Sequence, residues 1–261
     1  MAKEKKGKII TITSMKGGVG KTTTTLLLAS IYRNMKKKVL ILDLDLYTGS
    51  IAFSLNVAVK GSIFNICDDM ANNRYKGLSQ GEYISSYDEY IDVLSSPKDP
   101  RQASKIDVKC LEILINSLAN YYDIVLIDTN HLLDIYNMIA FEYSDSILNI
   151  FTNDAYDLKG TKNFVAICKN MNVDNLLIVL NSAIDDRKKY FSTYDIKSII
   201  KHSIDYIIPS SLYIKNFDMY VMEGKLINYF SKLKVVKKEV EKLALRLMED
   251  SKKGAKDDEK K

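Results

Sequence analysis

The sequence predicts an α/β fold: a doubly wound, mainly parallel β-sheet with helices on both faces. Several short runs of Val, Ile and Leu are apolar at successive positions, as in strands that are buried on both faces. Longer segments separate these runs, and strands that alternate with helical segments are typical of a parallel sheet. A chain of 261 residues, of which 46% are hydrophobic, is long enough to bury such a core.

The predicted strands are Ile9–Thr13, Val39–Asp43, Ile91–Leu94, Ile124–Asp128, Ile147–Thr152, Leu176–Asn181 and Tyr206–Ile208. Between them, one helix is predicted over residues 108–118, where apolar residues recur at helical spacing. We assign residues 1–250 to one domain. Residues 251–261 contain lysine and acids but no large apolar residue, so they are predicted to form a disordered polar tail.

Composition excludes several other classes of protein. The three cysteines, Cys67, Cys110 and Cys168, form no CxxC pair, so we predict buried thiols rather than a zinc site or disulfides. No apolar run approaches the roughly 18 residues of a membrane span, and no signal peptide is predicted. The net charge is +5, and most of the excess lies in residues 231–261, which contain 11 basic and 7 acidic residues. This charge is compatible with an acidic partner or with a solvated helix face.

A glycine-rich segment, Ser14–Thr23, lies between the first predicted strand and a helix, which is the context of a phosphate-binding loop. Its glycines allow backbone N–H groups to turn toward an anion, and the helix N-terminus attracts the same charge. Lys21 is predicted to reach the β- and γ-phosphates, and the Thr22 hydroxyl to bind Mg²⁺. The predicted nucleotide contacts in this loop are Gly17, Gly18, Val19, Gly20, Lys21, Thr22 and Thr23.

One departure from the standard loop is informative. Met15 stands where that pattern has glycine, and a second lysine, Lys16, precedes Gly17. The segment Lys-Gly-Gly-x-Gly-Lys-Thr-Thr resembles the deviant Walker A motif of the ParA/MinD family. The resemblance implies a P-loop NTPase fold, ATP or ADP with Mg²⁺ as cofactors, and weak hydrolysis. It also implies an ATP-dependent homodimer in which Lys16 touches the partner's nucleotide, so we count Lys16 and Lys21 as catalytic.

Two carboxylates, Asp43 and Asp45, follow the second predicted strand. Alternation along a strand turns both toward the same side, and ligands bind at the carboxyl ends of open α/β sheets. The family resemblance implies that Asp45 is catalytic and positions the attacking water, while Asp43 lies near Mg²⁺ as a metal residue. The alternative, that both are loop or helix-capping acids, stays open.

Other strand ends carry further candidates. The apolar strand that ends at Asp128 resembles Walker B, which makes Asp128 a predicted Mg²⁺ residue. His131, which follows, is predicted to be structural or partner-facing rather than a base. The resemblance implies that Asn181 hydrogen-bonds the purine and that Pro209 frames it. Any Asn or Pro at a strand end also has an ordinary turn role.

Within the family, four stretches are similar to the CpaE/TadZ branch of pilus assembly ATPases, and the resemblance spans residues 8–246. These stretches are Leu42–Leu55, Ile91–Pro100, Tyr122–His131 and Ile207–Lys225. This branch implies a cytoplasmic, ATP-switched dimer that positions a pilus or secretion machine through a protein partner.

Two other functions stay open: a DNA-partitioning ATPase that binds the nucleoid non-specifically, and a scaffold that holds nucleotide without turnover. Iron–sulfur reductases of related fold need paired cysteines, which this sequence lacks. Direct membrane insertion is not expected, because the last predicted helix carries one apolar stripe that suits packing against the protein. That stripe consists of Leu233, Val236, Val240, Leu243 and Leu247.

Overall fold

The computed structural model describes residues 6–78, 82–184 and 190–249, the side chains of residues 234–239 excepted. Its strands are β1 Lys8–Thr13, β2 Val39–Leu44, β3 Ser85–Ser86, β4 Ile91–Leu94, β5 Ile124–Thr129, β6 Ser146–Phe151, β7 Leu176–Asn181 and β8 Tyr206–Ile208. They form one sheet in the order β3-β4-β2-β5-β1-β6-β7-β8. All neighbouring pairs are parallel except β3 with β4. The predicted doubly wound, mainly parallel fold is therefore confirmed.

The helices of the described residues cover both faces of this sheet. They are α1 Lys21–Asn34, α2 Ile51–Ser54, α3 Ile63–Ala71, α4 Val108–Leu118, α5 Ile135–Tyr143, α6 Ala155–Asn170, α7 Thr193–Ile200, α8 Phe217–Met222, α9 Leu226–Lys232 and α10 Lys234–Met248. Alternate residues of β1 serve different cores: Ile10 and Ile12 pack with α1, α9 and α10, whereas Ile9 packs with α3, α4 and α5. Helices α6 and α7 continue the second layer over β6 and β7.

The predicted strands are all present, and no predicted end differs from the observed end by more than one residue. Thr152 was predicted to belong to the sixth strand, but β6 ends at Phe151. The backbone N–H and hydroxyl of Thr152 both donate to Asp157 on α6, at 2.7 and 2.8 Å, which removes the residue from the sheet ladder. The short strand β3 was not predicted, because two serines at a sheet edge carry no apolar pattern.

The C-terminal helix α10 packs its apolar residues on the protein. Val240, Leu243 and Leu247 are buried in the core beside α1, and the Tyr32 hydroxyl donates to the Ala244 carbonyl at 3.0 Å. Leu233 is partly buried, and the side chain of Val236 lies outside the described residues. The predicted tail, residues 251–261, also lies outside them.

The three thiols are buried, as the sequence predicted. No helix in the described part of the chain combines the length and apolar character that crossing a bilayer requires.

Candidate functional site

The carboxyl ends of β1, β2 and β5 meet at the middle of the sheet. The glycine-rich loop leaves β1 there and leads into α1, whose first residue is Lys21. Asp43 of β2 and Asp128 of β5 are direct partners in the parallel register, so the sheet itself places two predicted carboxylates beside each other.

Two glycines of the loop adopt backbone conformations that other residues rarely reach. Gly18 and Gly20 have φ values of +74° and +94°. A Cβ on Gly20 would also lie 2.6 Å from the amide nitrogen of Asn181. Gly20 is the N-cap of α1 and offers no side chain to the first helical N–H groups. Those groups therefore stay available to an anion, as the phosphate-loop interpretation requires.

The polar side chains behind the loop form a connected cluster. The Thr22 and Thr25 hydroxyls both donate to the Asp128 carboxylate, at 2.7 and 3.0 Å. The Lys21 ammonium donates to the Ser14 hydroxyl at 3.0 Å. The predicted phosphate lysine, Lys21, and the predicted Mg²⁺ residues Thr22 and Asp128 thus lie together around the start of α1. The third predicted Mg²⁺ residue, Asp43, is the register partner of Asp128.

Burial strongly affects the charges of this cluster. It raises the pKa of Asp128 to about 6, against which the Thr22 and Thr25 hydrogen bonds act. Burial also raises the pKa of Asp43 well above its ordinary value, and the charge of Asp128 adds to that rise. For Lys21, burial lowers the pKa, while attraction from Asp128 and Asp45 opposes the change. The site holds two carboxylates whose ionised forms are destabilised until a cation approaches.

Asp43 and Asp45 occupy different surroundings. One oxygen of the buried Asp43 accepts from the Ile51 N–H at 3.1 Å, and the other has no hydrogen-bond partner among the described residues. Asp45 lies in the turn after β2, where its carboxylate accepts from the N–H and hydroxyl of Thr48. In this conformation Asp43 and Asp45 therefore both accept hydrogen bonds from loop or helix-start residues, as the alternative interpretation predicted.

The second lysine of the motif has a different partner from Lys21. The Lys16 ammonium pairs with Asp154 at 3.1 Å, and both side chains are partly exposed. Asp154 follows β6 and caps the N-terminus of α6. In the single chain, therefore, Lys16 is held by a surface acid.

Asn181 lies beside the loop, as the base-pocket prediction expects. Its amide donates to the Val19 carbonyl at 2.9 Å and accepts from the Ala183 N–H at the same distance. Pro209 follows Ile208, the register partner of Asn181. A cleft of about 680 Å³ opens here, and its walls include Lys16, Asn181 and Phe191 but not Pro209.

His131 is exposed next to the loop: a Cβ on Gly17 would lie 3.8 Å from its Nδ1. Side-chain amides of Asn130 and Asn137 hold the turn around His131. The buried Asn130 accepts from the Leu132 N–H and from Asn137, both at 2.8 Å, while Leu132 and Leu133 stay exposed. These contacts agree with a structural or partner-facing His131.

Comparison with known proteins places this arrangement in a family. The AAA domain family matches residues 7–185, which include the loop, Asp43, Asp45, Asp128 and Asn181. The chain belongs to this family. It is 28% identical over 159 residues to the septum site-determining protein MinD of Helicobacter pylori, a match that spans 61% of this chain and 58% of that protein. The chain thus covers little more than half of that relative.

Solved structures of ParA and MinD proteins share the fold of this chain. A ParA family ATPase from Chlorobium tepidum superposes with a TM-score of 0.79 at 19% identity, covering 92% of this chain and 99% of that one. MinD of Pyrococcus horikoshii, complexed with Mg-ADP, superposes with a TM-score of 0.73 at 22% identity, covering 92% and 96%. These relatives are ParA and MinD proteins, and the solved ones share the fold of this chain. They do not distinguish the pilus assembly branch from other branches.

The residues of this AAA domain suit a nucleotide with Mg²⁺. A hydroxyl from Thr22 and a carboxylate from Asp128 are the hard oxygen ligands that Mg²⁺ prefers, and phosphate oxygens and water normally complete its shell. The uncapped N-terminus of α1, preceded by Gly18 and Gly20 at positive φ, leaves backbone N–H groups available to the phosphates.

Sequence reasoning missed four residues of the site: Ser14, Thr25, Asp154 and Gly160. Thr25 lies one turn beyond Thr22, so helical spacing could have indicated that both hydroxyls face Asp128. Gly160 is in α6, and a Cβ there would lie 2.8 Å from the Cβ of Met15. Its role follows only from the packing of α6 on the loop.

Proposed function

We propose that this chain binds ATP with Mg²⁺, hydrolyses it slowly, and uses the bound nucleotide to switch between a monomer and a homodimer. The convergence of Lys21, Thr22 and Asp128 at the uncapped N-terminus of α1 carries this proposal. Phosphate affinity in such a loop comes from backbone N–H groups and a lysine.

Each residue of the cluster has a distinct part. Lys21 exchanges the Ser14 hydroxyl for phosphate oxygens, which gives the partly buried ammonium an anionic hydrogen-bond partner. Thr22 and Asp128 hold Mg²⁺, which neutralises charge on the phosphates. Because the cation also stabilises the ionised form of Asp128, metal binding and deprotonation of this carboxyl occur together.

Hydrolysis requires a water molecule in line with the terminal phosphate. We assign its positioning to Asp45, which lies near Lys21 and Asp128 and whose hydrogen bonds to Thr48 form within a surface turn. A carboxylate that only orients water is a weak base, so turnover is slow.

The switch depends on Lys16. Since Lys21 already serves the chain's own phosphate site, a second lysine in the same loop suits a nucleotide bound by another subunit. The Lys16–Asp154 pair is partly exposed, and such pairs contribute at most about 1 kcal/mol, so its release costs little.

For the partner of the dimer we favour a protein of a pilus or secretion machine, on the four stretches that resemble the CpaE/TadZ branch. A DNA-partitioning function is the second candidate, because α6 and α7 are neighbours with several exposed lysines. These are Lys159, Lys162 and Lys169 of α6, Lys197 of α7, and Lys201, the C-cap of α7.

Calorimetry of ATP binding tests the core of this proposal. Lys21→Ala should abolish measurable ATP binding with Mg²⁺ while the circular dichroism spectrum stays native. The matched control Lys162→Ala removes an exposed lysine of α6 and should bind ATP like the wild type. Unchanged affinity in Lys21→Ala would refute the nucleotide-site assignment.

Two assays then separate the finer assignments. Asp45→Ala should still bind ATP but lose phosphate release, and normal turnover would remove its catalytic role. A salt titration of duplex DNA binding by the ATP-bound protein decides between the two partners. About micromolar affinity near physiological salt, with a slope reporting several phosphates, would favour partitioning.

A further inference from the structure

A second concave surface lies at the opposite end of the sheet from the nucleotide site. It runs between α5 and α6, where the chain enters β1 and β6, and encloses about 980 Å³. Its floor is apolar, formed by Ile147 and by Phe141 and Phe164, whose ring centroids lie 5.7 Å apart. We call this surface the α5–α6 groove.

Large apolar side chains also form the walls of the groove and remain exposed. Ile135 on α5 is 54% exposed, Ile167 on α6 is 36% exposed, and Met171, the C-cap of α6, is 51% exposed. Scattered exposed apolar residues are ordinary, but several that line one concavity mark an interaction surface.

The rim of the groove is acidic although the chain as a whole is basic. Four of its residues are acids: Glu112, Glu142, Asp145 and Asp174. Asp145 pairs with Lys8 at 3.5 Å, the one cation among the lining residues that the structure describes. Within residues 6–78, 82–184 and 190–249, Glu112, Glu142 and Asp174 have no hydrogen-bonded or ion-paired partner. A net charge of +5 makes this local negative field a distinctive feature of the surface.

The strands beneath the groove exclude one common mode of binding. Both edges of β6 are already paired, with β1 and with β7, so no strand can be added there. A ligand must therefore satisfy its own backbone hydrogen bonds and bind through side chains, as a helix does in a groove between two helices. The acidic rim disfavours phosphate-bearing ligands such as nucleic acids or anionic lipids.

We propose that the α5–α6 groove binds an amphipathic helix of a partner protein, with an apolar stripe on the groove floor and Lys or Arg residues against the acidic rim. This inference rests on the proposed function, because the helix would belong to the protein partner proposed there. Because the groove is remote from the nucleotide, binding can be measured without ATP, so failure here is distinguishable from failure of the ATP switch.

The probe is a fluorescent synthetic peptide of Leu and Lys at helical spacing, about 18 residues long so that a helix can form. Fluorescence anisotropy should show binding to the nucleotide-free full-length protein. A peptide with Glu in place of Lys, and one with the same composition but no amphipathic order, should bind at least about ten-fold more weakly. Equal binding of the scrambled peptide would overturn the proposal.

Variants of the protein locate the site. The double charge reversal Glu142→Lys with Asp174→Lys should weaken binding of the Leu/Lys peptide about ten-fold or more. The matched control Glu89→Lys reverses an exposed acid beside α1, on the other face of the sheet, and should bind like the wild type. Met171→Ser removes an exposed apolar contact and should also weaken binding. Equal effects of the control and the groove variants would contradict a specific site.

Two further measurements distinguish other occupants. Hydrogen exchange should show peptide-dependent protection in α5 and in the second half of α6; protection elsewhere would overturn the assignment. If a variant without residues 1–5 binds the peptide about ten-fold more tightly than the full chain, the groove holds the chain's own N-terminal residues and the proposal of a separate partner is wrong. A nucleotide-free dimer that Met171→Ser dissociates would point instead to a second copy and would likewise overturn it.

Discussion

Asp128 is the residue in which the stability of the protein and its proposed function conflict most directly. Its carboxyl is buried, and burial raises its pKa from 3.8 to about 6. Between these two values the folded protein binds a proton that the unfolded chain releases. The free energy of unfolding therefore falls as the pH rises from about 4 to about 6, and above that range the full cost of the buried charge remains.

Asp128→Asn should consequently stabilise the nucleotide-free protein at about pH 7.5 by on the order of 1–3 kcal/mol. The gain should shrink as the pH falls from about 6 to about 4 and should vanish below about pH 3, where the wild-type carboxyl is protonated in both states. Urea unfolding at several pH values measures this difference, with Glu89→Gln as an exposed control. The same variant should lose Mg²⁺-dependent nucleotide binding. A variant less stable than the wild type at neutral pH would show that the hydrogen bonds from Thr22 and Thr25 outweigh burial.

Between elements, the approach of α6 to the phosphate loop depends on Gly160. A Cβ on this residue would lie 2.8 Å from the Cβ of Met15, the residue that replaces the glycine of the standard loop. Gly→Ala in a helix normally stabilises by up to about 1 kcal/mol, whereas overpacking a tight contact costs about 1–3 kcal/mol. The cost of overpacking should exceed the gain in helix propensity here, because a Cβ cannot move independently of its backbone.

Gly160→Ala should therefore lower the thermal unfolding midpoint and weaken ATP binding. Met15→Gly in the same chain should restore both, because it removes the opposing Cβ. Calorimetry of the two single variants and the double variant gives the coupling energy. Asn163→Ala, an exposed substitution in α6, serves as the control. A Gly160→Ala protein more stable than the wild type would contradict the close contact.

The C-terminal helix α10 is the second element whose environment decides its role. Its apolar residues Val240, Leu243 and Leu247 are buried against the core beside α1. Leu243→Ala should cost about 2–5 kcal/mol of stability. Flotation with anionic liposomes should leave the wild-type protein in solution with and without ATP, because this stripe is unavailable to lipid. ATP-dependent flotation would show that α10 leaves the core.

For the whole molecule, the main prediction is ATP-dependent association. Light scattering should show a monomer without nucleotide and a dimer with ATP, and Lys16→Ala should remain monomeric with ATP. Asp154→Ala releases Lys16 from its surface partner, so it should dimerise at least as well as the wild type. The same oligomer in wild type and Lys16→Ala would remove Lys16 from the interface.

Much of the fold could be predicted because its signals are local in the chain. The bounds predicted for α4 agree with the structure, since each turn of that helix buries an apolar residue. Strands β4, β7 and β8 also have their predicted ends. The edge strand β3 could not be predicted, because its pairing with β4 rather than its own composition makes it a strand.

The site was less predictable because its contacts join distant segments. Thr22 and Asp128 are 106 residues apart in the chain, and their hydrogen bond exists because β5 lies next to β1 in the sheet. The phosphate-loop motif predicted Thr22, and the resemblance to Walker B predicted Asp128. Helical spacing could have placed Thr25 beside Thr22, but only the packing of the sheet shows that the Ser14 hydroxyl accepts from Lys21. The roles toward a nucleotide of all the predicted site residues, Lys21, Thr22 and Asp128 included, stay predictions.

By itself, the sequence determined the alternation of strands and helices and the identity of the phosphate loop, because apolar periodicity and glycine stereochemistry act between near neighbours. Only the tertiary structure decided the Lys16–Asp154 pair, the burial that shifts the pKa of Asp128, and the acidic α5–α6 groove. Each of these depends on the order of strands in the sheet and on the layer of helices above it. The burial and the charge of a site depend on several segments of the chain, and these segments come together only when the whole chain has folded.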